Sequence, residues 1–190
     1  MNLLLLGPQG SGKGTQAARI ASEWRLPHIS TGEMFRSAIA AGTELGRRVE
    51  PILDAGELVP DELTIALIRE RLGQDDAQEG FILDGFPRNL TQARELDSML
   101  NEIGRGLDAI FFFDVSDDVA MERIEARASA EGRTDDTREA TARRLQIYHE
   151  QTEPVVEHYR ATGKLVPLHA ARPVEEVFAE IAAALEQVPA

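Results

Sequence analysis

The residues most suited to chemistry lie within residues 3–15, LLLLGPQGSGKGT, where an apolar run leads into a glycine-rich turn. Residues 3–6 are too few for a buried helix and show no polar alternation, which is typical of a buried strand in a parallel sheet. Glycines allow backbone N–H groups to close around a ligand, and the following helix presents unpaired N–H groups and the positive end of its dipole. Lys13 adds a full positive charge there. The segment therefore predicts a phosphate-binding site.

The spacing of this turn is specific. Gly7, four residues, Gly12 and Lys13 match the phosphate-loop pattern, but Gly14 comes next and Thr15 only after it. The alternative interpretation is a glycine-rich strand–helix turn with a surface lysine. The position, the spacing and the helical context all favour phosphate binding.

A second group of polar residues follows the apolar residues 81–83. Asp84 would stand at the carboxyl end of a strand, where a carboxylate can hold Mg²⁺ directly or through water, although a turn or helix cap explains it equally well. Arg88 follows after Gly-Phe-Pro, and its planar fork suits two phosphate oxygens. Phosphoryl transfer needs in-line positioning, a metal ion and positive charge around the moving group. These residues fit that requirement.

Other arginines are ambiguous by spacing alone. Arg36 ends the run Thr-Gly-Glu-Met-Phe-Arg and would be an ordinary surface residue without further context. Arg123 and Arg127 share one helix face, for which a salt-bridged surface helix is the alternative interpretation. All four histidines are interpreted as structural or solvated, because none has a neighbouring set of metal ligands or catalytic partners in the sequence.

The order of elements predicts an α/β fold. Strands are expected at residues 3–6, 27–29, 81–83, 109–113 and 164–168, alternating with helices. This alternation predicts a five-stranded parallel sheet with helices on both faces and ligands at the carboxyl ends of its strands. Residues 30–59 read as short helices inserted between two strands, hence a small helical subdomain. Residues 134–161 read as one long helix that Pro154 kinks or divides.

Composition limits the classes of function. The 190 residues suffice for a single domain, and a net charge of −13 argues against a general affinity for nucleic acids or anionic membranes. The absence of cysteine excludes disulfides and cysteine-bound zinc. We expect no signal sequence and no membrane span, and therefore a soluble, cytoplasmic protein.

Together these motifs resemble those of the nucleoside monophosphate kinases, and adenylate kinases above all. The resemblance rests on GPQGSGKGT, TGEMFR, GELV, DGFPR and the later arginines, and covers nearly the whole chain. It implies a monomeric P-loop transferase of nucleotide biosynthesis that converts MgATP and AMP into two ADP. A UMP/CMP kinase is the alternative within this class, and a non-catalytic ATP- or AMP-binding regulator is the alternative outside it.

The resemblance also implies roles for individual residues. Those expected at ATP are Gly10, Ser11, Gly12, Lys13, Gly14, Thr15, Arg123, Arg127 and Arg172. Those expected at AMP are Thr31, Arg36, Glu57, Leu58, Val59, Gly85, Phe86, Pro87, Arg88, Gln92, Arg133 and Arg144. The residues expected to act on the transferred phosphoryl group are Lys13, Arg88, Arg127, Arg133 and Arg144. Asp84 is expected to hold Mg²⁺ through water, with Thr15 as a second candidate ligand.

Two finer expectations concern the base and the lid. An uncharged Thr31 and the Gln92 amide can hydrogen-bond an adenine edge, whereas the pyrimidine kinases usually carry Ala and Asn at these positions. Only residues 128–132 separate Arg127 from Arg133, so the lid is expected to be a short loop within residues 126–136 that holds no zinc.

Overall fold

The computed structural model describes residues 1–131, 133 and 135–188, and only the backbone of residue 131. The strands are β1 (Asn2–Leu6), β2 (His28–Ser30), β3 (Phe81–Asp84), β4 (Ala109–Asp114) and β5 (Leu165–His169). The α-helices are α1 (Lys13–Trp24), α2 (Thr31–Ala40), α3 (Glu44–Asp54), α4 (Asp61–Leu72), α5 (Leu90–Glu102), α6 (Asp117–Glu131), α7 (Arg138–Ile147), α8 (Glu153–Arg160) and α9 (Val174–Leu185). A 3₁₀ turn spans Asp75–Ala77, and a π-helical segment, the π turn, spans Tyr148–Thr152.

The five strands form one sheet in the order β2-β3-β1-β4-β5, and every pairing is parallel. This confirms the predicted α/β fold. Asp84 at the end of β3 lies opposite Leu5 of β1 and Ser30 of β2 in the strand register. The carboxyl ends of the three strands therefore meet at one edge, from which the glycine-rich loop continues.

The leucines of β1 supply both apolar cores. Leu4 and Leu6 pack into a cluster with residues of α4, α5 and α8, while Leu3 and Leu5 pack into a second cluster with residues of α1 and α9. Because both faces of a parallel sheet are covered by helices, its central strand needs apolar residues at every position rather than at alternate ones. The glycine-rich loop is thus anchored to the central strand of the sheet.

A third, smaller apolar cluster lies among the short helices. Phe35, Val49 and Val59 are buried together and are joined by residues of α2, α3 and α4. The start of α2 follows its expected capping pattern, since the Ser30 hydroxyl oxygen accepts a hydrogen bond from the Glu33 N–H over 3.4 Å. The short helices thus share an apolar cluster with α4, and the subdomain of residues 30–59 stays a prediction.

The long helix predicted over residues 134–161 is divided near Pro154, as expected, but it begins later than predicted. Residue 134 lies outside the described residues, and α7 begins only at Arg138, with the Thr137 hydroxyl oxygen capping it by accepting from the Ala140 N–H. The π turn then separates α7 from α8, whose second residue is Pro154. Proline has no N–H and its ring collides with the carbonyl group four residues earlier, so a regular helix cannot continue through it.

Two further points concern the lid and the membrane. Helix α6 runs to Glu131, one residue beyond its expected end, so the first part of the expected lid is helical. Gly132 and Thr134 of the lid lie outside the described residues. Within the described part of the chain, no helix is both long and apolar enough to cross a membrane.

Candidate active site

A cleft of about 670 Å³ opens at the carboxyl ends of β1 and β3. Its walls come from the glycine-rich loop, α1, α2, the segment after β3, α6, α7 and the loop after β5. Its volume suits a ligand of nucleotide size. One cleft therefore collects side chains that are far apart in the sequence.

The glycine-rich loop folds tightly around the Lys13 side chain. The Lys13 Nζ donates hydrogen bonds to the carbonyl oxygens of Gly7 over 2.8 Å and Pro8 over 2.7 Å, and to the Ser11 hydroxyl over 3.3 Å. Gly10 has a φ of 81°, and a Cβ there would collide with the Ala120 carbonyl oxygen on α6. Burial lowers the pKa of Lys13 to about 8, with the nearby Asp84 acting in the opposite direction. The ammonium is thus held by neutral carbonyls, which leave its charge available to a phosphate.

Asp84 and His28 form a pair at the base of the cleft. The His28 Nε2 lies 3.4 Å from an Asp84 carboxylate oxygen, although it makes no well-aligned hydrogen bond among the described residues. Burial opposes the charged forms of both groups, but their mutual attraction outweighs it, so the pKa of His28 is raised and that of Asp84 is lowered. The sequence analysis did not anticipate this contact, because the two residues meet only through the pairing of β2 with β3. The interpretation of His28 as structural or solvated stays a prediction.

Arg88 is held by uncharged groups among the described residues. Its Nε donates to the Gly85 carbonyl oxygen over 2.9 Å, and its own N–H donates to the Gln92 Oε1 over 2.8 Å. No carboxylate of the described residues forms an ion pair with its guanidinium. Burial and the neighbouring Arg144 lower its pKa, and Asp84 partly offsets them. An arginine side chain nevertheless stays charged, so Arg88 presents a positive charge in the cleft.

Arg127 and Arg144 are held differently, by two buried carboxylates. Asp136 accepts from the Arg127 Nη2 over 2.7 Å and from the Arg144 Nη1 over 2.9 Å, and its side chain is 0% exposed. Asp135 accepts from the Arg144 Nη2 over 2.8 Å, and Arg36 lies 3.9 Å from it. These aspartates neutralise part of the arginine cluster.

The remaining arginines also reach the cleft. Arg123 donates to the Ala170 carbonyl oxygen over 3.0 Å, which ties α6 to the loop after β5. Arg172 bonds the His169 carbonyl oxygen over 3.0 Å and pairs with Glu180 on α9. Arg133 lines the cleft as expected.

The two expected base-recognition residues lie behind the cleft wall. Thr31 is 2% exposed and donates its hydroxyl proton to the Gly85 carbonyl oxygen over 2.8 Å. Gln92 is also 2% exposed, with its Oε1 bonded to the Arg88 N–H and its Nε2 donating to Asp61 over 2.8 Å. The structure therefore does not bring these side chains to the cleft surface, and base reading by them stays a prediction.

The segments expected around AMP are partly in place. Leu58, Gly85 and Pro87 line the cleft, as do the ATP-loop residues Gly10, Ser11, Gly12, Gly14 and Thr15. Val59 and Phe86 are buried in apolar clusters instead. The Glu57 carboxylate turns to Arg143 on α7, 2.6 Å away.

The donor set at the cleft fits a magnesium ion bound mainly by substrate phosphates. The described residues contain no group of three or more metal-ligating side chains. Asp84 and Thr15 both line the cleft. Mg²⁺ in phosphate sites typically takes one or two protein oxygens together with water and phosphate oxygens, so this sparse set is compatible with it.

Four polar residues of the site were missed at the sequence level. Asp135 and Asp136 anchor the arginines, Gln9 donates to Asp136 over 3.0 Å, and the Thr152 hydroxyl donates to the Arg88 carbonyl oxygen over 2.7 Å. The acidic pair begins two residues after Arg133 in an arginine-rich stretch, which is a signal for internal ion pairing. Nothing local marks Gln9 or Thr152.

A strand, a glycine-rich loop with its lysine, and arginines converging at the carboxyl edge of a parallel sheet define a P-loop phosphotransferase. Comparison with known proteins specifies the family. The family model described as adenylate kinase matches residues 5–164. An adenylate kinase of Stenotrophomonas maltophilia (strain K279a) is 48% identical over 186 residues, which are 98% of this chain and 100% of the relative.

Two more relatives with the same description are similar to nearly the whole chain. An adenylate kinase of Xanthomonas campestris pv. campestris (strain 8004) is 48% identical over 97% of this chain and 99% of its own. One of Thermobifida fusca (strain YX) is 46% identical over 93% of this chain and 94% of its own. The chain belongs to the adenylate kinase family.

Proposed function

We propose that this protein transfers the terminal phosphoryl group of MgATP to AMP and forms two molecules of ADP, reversibly. An oxygen of the AMP phosphate attacks the γ-phosphorus of ATP. The bond between that phosphorus and the oxygen that bridges to the β-phosphate breaks, and ADP leaves. The attacking oxygen is already ionised near neutral pH, so no general base is required. This accounts for a site rich in cations and without a catalytic histidine.

One observation carries the proposal. Lys13 and the arginines 36, 88, 127, 133 and 144 line a single cleft, although they come from widely separated parts of the chain. Like charges repel each other, and three aspartates offset only part of this repulsion, so a bound polyanion would stabilise the cleft. Such charge is what phosphoryl transfer requires, because the transition state spreads negative charge over the moving group.

The geometry supports a division of the cleft between two nucleotides. The loop of residues 10–15 would bind the ATP phosphates, with Lys13 bridging charge and Arg123 and Arg172 beside the ATP base. The 30–59 subdomain would cover AMP, with Arg36 at its phosphate. Arg88, Arg127, Arg133 and Arg144 would surround the moving phosphoryl group. Residues 126–136 would act as a short lid that excludes water.

Magnesium would bind at Asp84, mainly through water, with Thr15 as a second candidate. When bound, it neutralises phosphate charge. The chain's own part is to hold the Asp84 carboxylate ionised, and the neighbouring His28 and Lys13 support this by lowering its pKa.

Adenine selection would use Thr31 and Gln92. Each keeps hydrogen-bonding capacity beyond its present partner: the Thr31 oxygen retains acceptor capacity, and the Gln92 amide nitrogen carries a second hydrogen. Contact with a base would need a small rearrangement of the segment around Gly85. Thr31→Ala should loosen the preference for AMP over UMP and CMP.

The test is ADP formation from MgATP with AMP, UMP or CMP in parallel, beside a Lys13→Ala control. Strong turnover with AMP alone, abolished in the control, is the expected result. A preference for UMP or CMP would overturn the base assignment but not the reaction class. ATP binding without transfer to any monophosphate would place the protein among nucleotide-binding regulators. Gel filtration tests the expected monomer independently.

A further inference from the structure

The π turn at Tyr148–Thr152 lies beside the candidate site and is explained by a neighbouring proline. Pro154 is the second residue of α8, and its ring would collide with the carbonyl group of Glu150 in a regular α-helix. The wider π turn accommodates this. It also shifts the direction of the side chains that follow, and π turns of this kind are frequent at functional sites.

Thr152 closes the π turn and makes an unusual contact. A threonine or serine in a helix commonly bonds a carbonyl oxygen three or four residues earlier in its own helix. Thr64 and Ser129 do so here, bonding Pro60 over 3.3 Å and Glu125 over 3.2 Å. The Thr152 hydroxyl instead donates over 2.7 Å to the carbonyl oxygen of Arg88, which is 64 positions earlier. The side chain is 8% exposed and lines the cleft.

The backbone of Arg88 depends on such contacts. Strand β3 ends at Asp84 and α5 begins at Leu90, so neither a strand ladder nor a helix fixes residue 88. Its N–H is held by Gln92 and its carbonyl oxygen by Thr152, one on each side of the α-carbon. These two side chains therefore fix the backbone from which the guanidinium extends, while the Gly85 carbonyl oxygen holds its Nε.

Arg88 is expected to move when its hydrogen bond with Thr152 is lost. Burial and then the nearby charge of Arg144 lower the pKa of Arg88, with Asp84 partly offsetting them, so the two guanidinium groups repel each other. Arg144 is fixed on α7 by two carboxylates, whereas Arg88 has no carboxylate ion pair among the described residues. Without a nucleotide, repulsion would displace Arg88 rather than Arg144.

We infer that Thr152 is a positioning residue for phosphoryl transfer, because its hydroxyl holds Arg88 in the direction that the moving phosphoryl group requires. The inference rests on the role proposed above for Arg88. The helical stretch from α7 through the π turn carries both Arg144 and Thr152. It therefore sets the spacing between two phosphoryl-binding arginines, which belong to different segments of the chain.

The experiment compares Thr152→Val, which keeps the shape but removes the hydroxyl, with Thr152→Ser, which keeps the hydroxyl. Misplacing a catalytic group by a fraction of an ångström slows the chemical step more than it weakens binding. Thr152→Val should therefore lower kcat about ten-fold and leave both KM values within about two-fold. Thr152→Ser should restore kcat to within about two-fold of the wild type.

Thr141→Val is the matched control. Thr141 is 1% exposed on α7, and its hydroxyl has no hydrogen-bond partner among the described residues. It should keep the wild-type kcat. Circular dichroism and thermal melting verify that each variant is folded. Thr152→Ala replaces Thr152→Val if the latter does not fold, with the same expected loss of kcat.

The Arg88→Ala background separates this inference from the proposed function. Adding Thr152→Val to Arg88→Ala should cause no further loss of kcat, because the residue to be positioned is gone. A wild-type kcat in Thr152→Val, or an equal loss in both backgrounds, would overturn the positioning role. A wild-type kcat in Arg88→Ala would instead overturn the role of Arg88 and, with it, the basis of the inference.

Discussion

The cations of the cleft are held in two different ways on its two sides. On the floor, formed by the glycine-rich loop and the end of β3, Lys13 and Arg88 are bonded to neutral carbonyl oxygens. On the lid side, Arg127 and Arg144 are bonded to the carboxylates of Asp135 and Asp136. Among the described residues, the floor cations therefore have no carboxylate as a direct hydrogen-bond partner, although Asp84 lies near both. On the lid side, carboxylates bond the arginines directly and neutralise part of their charge.

This difference suggests two energetic roles. A cation held by carbonyl groups is already oriented and does not need to break an ion pair when a phosphate arrives. A cation held by a buried carboxylate must share or exchange that partner. We expect the floor to contribute mainly to the rate, and the lid-side pairs to contribute mainly to the stability of the protein without nucleotide.

The largest expected effect is on the floor. Arg88→Ala should lower kcat by about 10²–10³-fold, because one oriented donor to the developing charge is lost. The free energy of unfolding of Arg88→Ala should change little, since the substitution leaves no carboxylate unpaired. Steady-state ADP formation measures this, with the exposed Arg94→Ala on α5 as a control that should keep full activity. Equal rates in Arg88→Ala and Arg94→Ala would show that Arg88 contributes no more to the rate than an exposed arginine does.

The next effect is on the lid side. Asp136→Asn keeps the side-chain size but removes the charge between Arg127 and Arg144, both largely buried. Breaking a buried ion pair should lower the free energy of unfolding by about 3 kcal/mol. Saturating ADP should recover part of this loss, because its phosphates replace the missing carboxylate. Denaturant unfolding with and without ADP measures both quantities.

The control for that variant is a matched pair on the surface. Asp76 pairs with Arg71 over 2.7 Å, and the Asp76 side chain is 56% exposed. Asp76→Asn should change the free energy of unfolding far less than Asp136→Asn does, with or without ADP, because solvent screens an exposed ion pair. If Asp136→Asn and Asp76→Asn lower the free energy of unfolding equally, burial of the lid-side ion pair does not contribute to stability. The proposed difference between floor and lid side would then be wrong.

A smaller effect is expected at the exposed pair between Glu57 and Arg143. This pair ties the 30–59 subdomain to α7, with the two side chains 45% and 38% exposed. Glu57→Gln should raise the KM for AMP by at most about five-fold, with little change in kcat, because an exposed ion pair is weak. Arg143→Gln should match it, and the double variant should be no worse. If the two increases in the KM for AMP add in the double variant, Glu57 and Arg143 act separately.

The smallest effect concerns His149, which contacts Asp117 at the start of α6 over 2.9 Å and Glu153 over 3.3 Å. The hydrogen bond with Asp117 raises the pKa of His149 above its usual value. A raised pKa in the folded protein stabilises it below the unfolded-state pKa, and this contribution is lost as pH rises through the folded-state pKa. His149→Ala should therefore cost under about 1 kcal/mol at pH 5.5 and almost nothing at pH 9. A pH-independent cost would mean that packing, not charge, matters here.

The sequence by itself determined the fold class and the floor of the site. The apolar run of β1, the glycine-rich turn and Lys13 are contiguous, and their geometry follows from local rules: glycines permit the positive φ angles, and a buried parallel strand needs unbroken apolar residues. The strand that ends at Asp84 was predictable from its unbroken apolar residues. The sequence then places Arg88 four residues after Asp84. The sequence indicated that strands alternate with helices, and this alternation predicted a parallel sheet.

The tertiary structure alone decided the partners of each charge. Asp84 meets His28 through strand pairing, and Thr152 meets Arg88 through the π turn. Whether an arginine is held by a carbonyl or a carboxylate depends on distances between segments that no local pattern encodes. Gln92 shows the same limit, because its amide is bonded to Arg88 and Asp61 behind the cleft wall. Hydrogen bonds and ion pairs act over about 3–4 Å, so only the assembled fold determines which of the available partners each group finds.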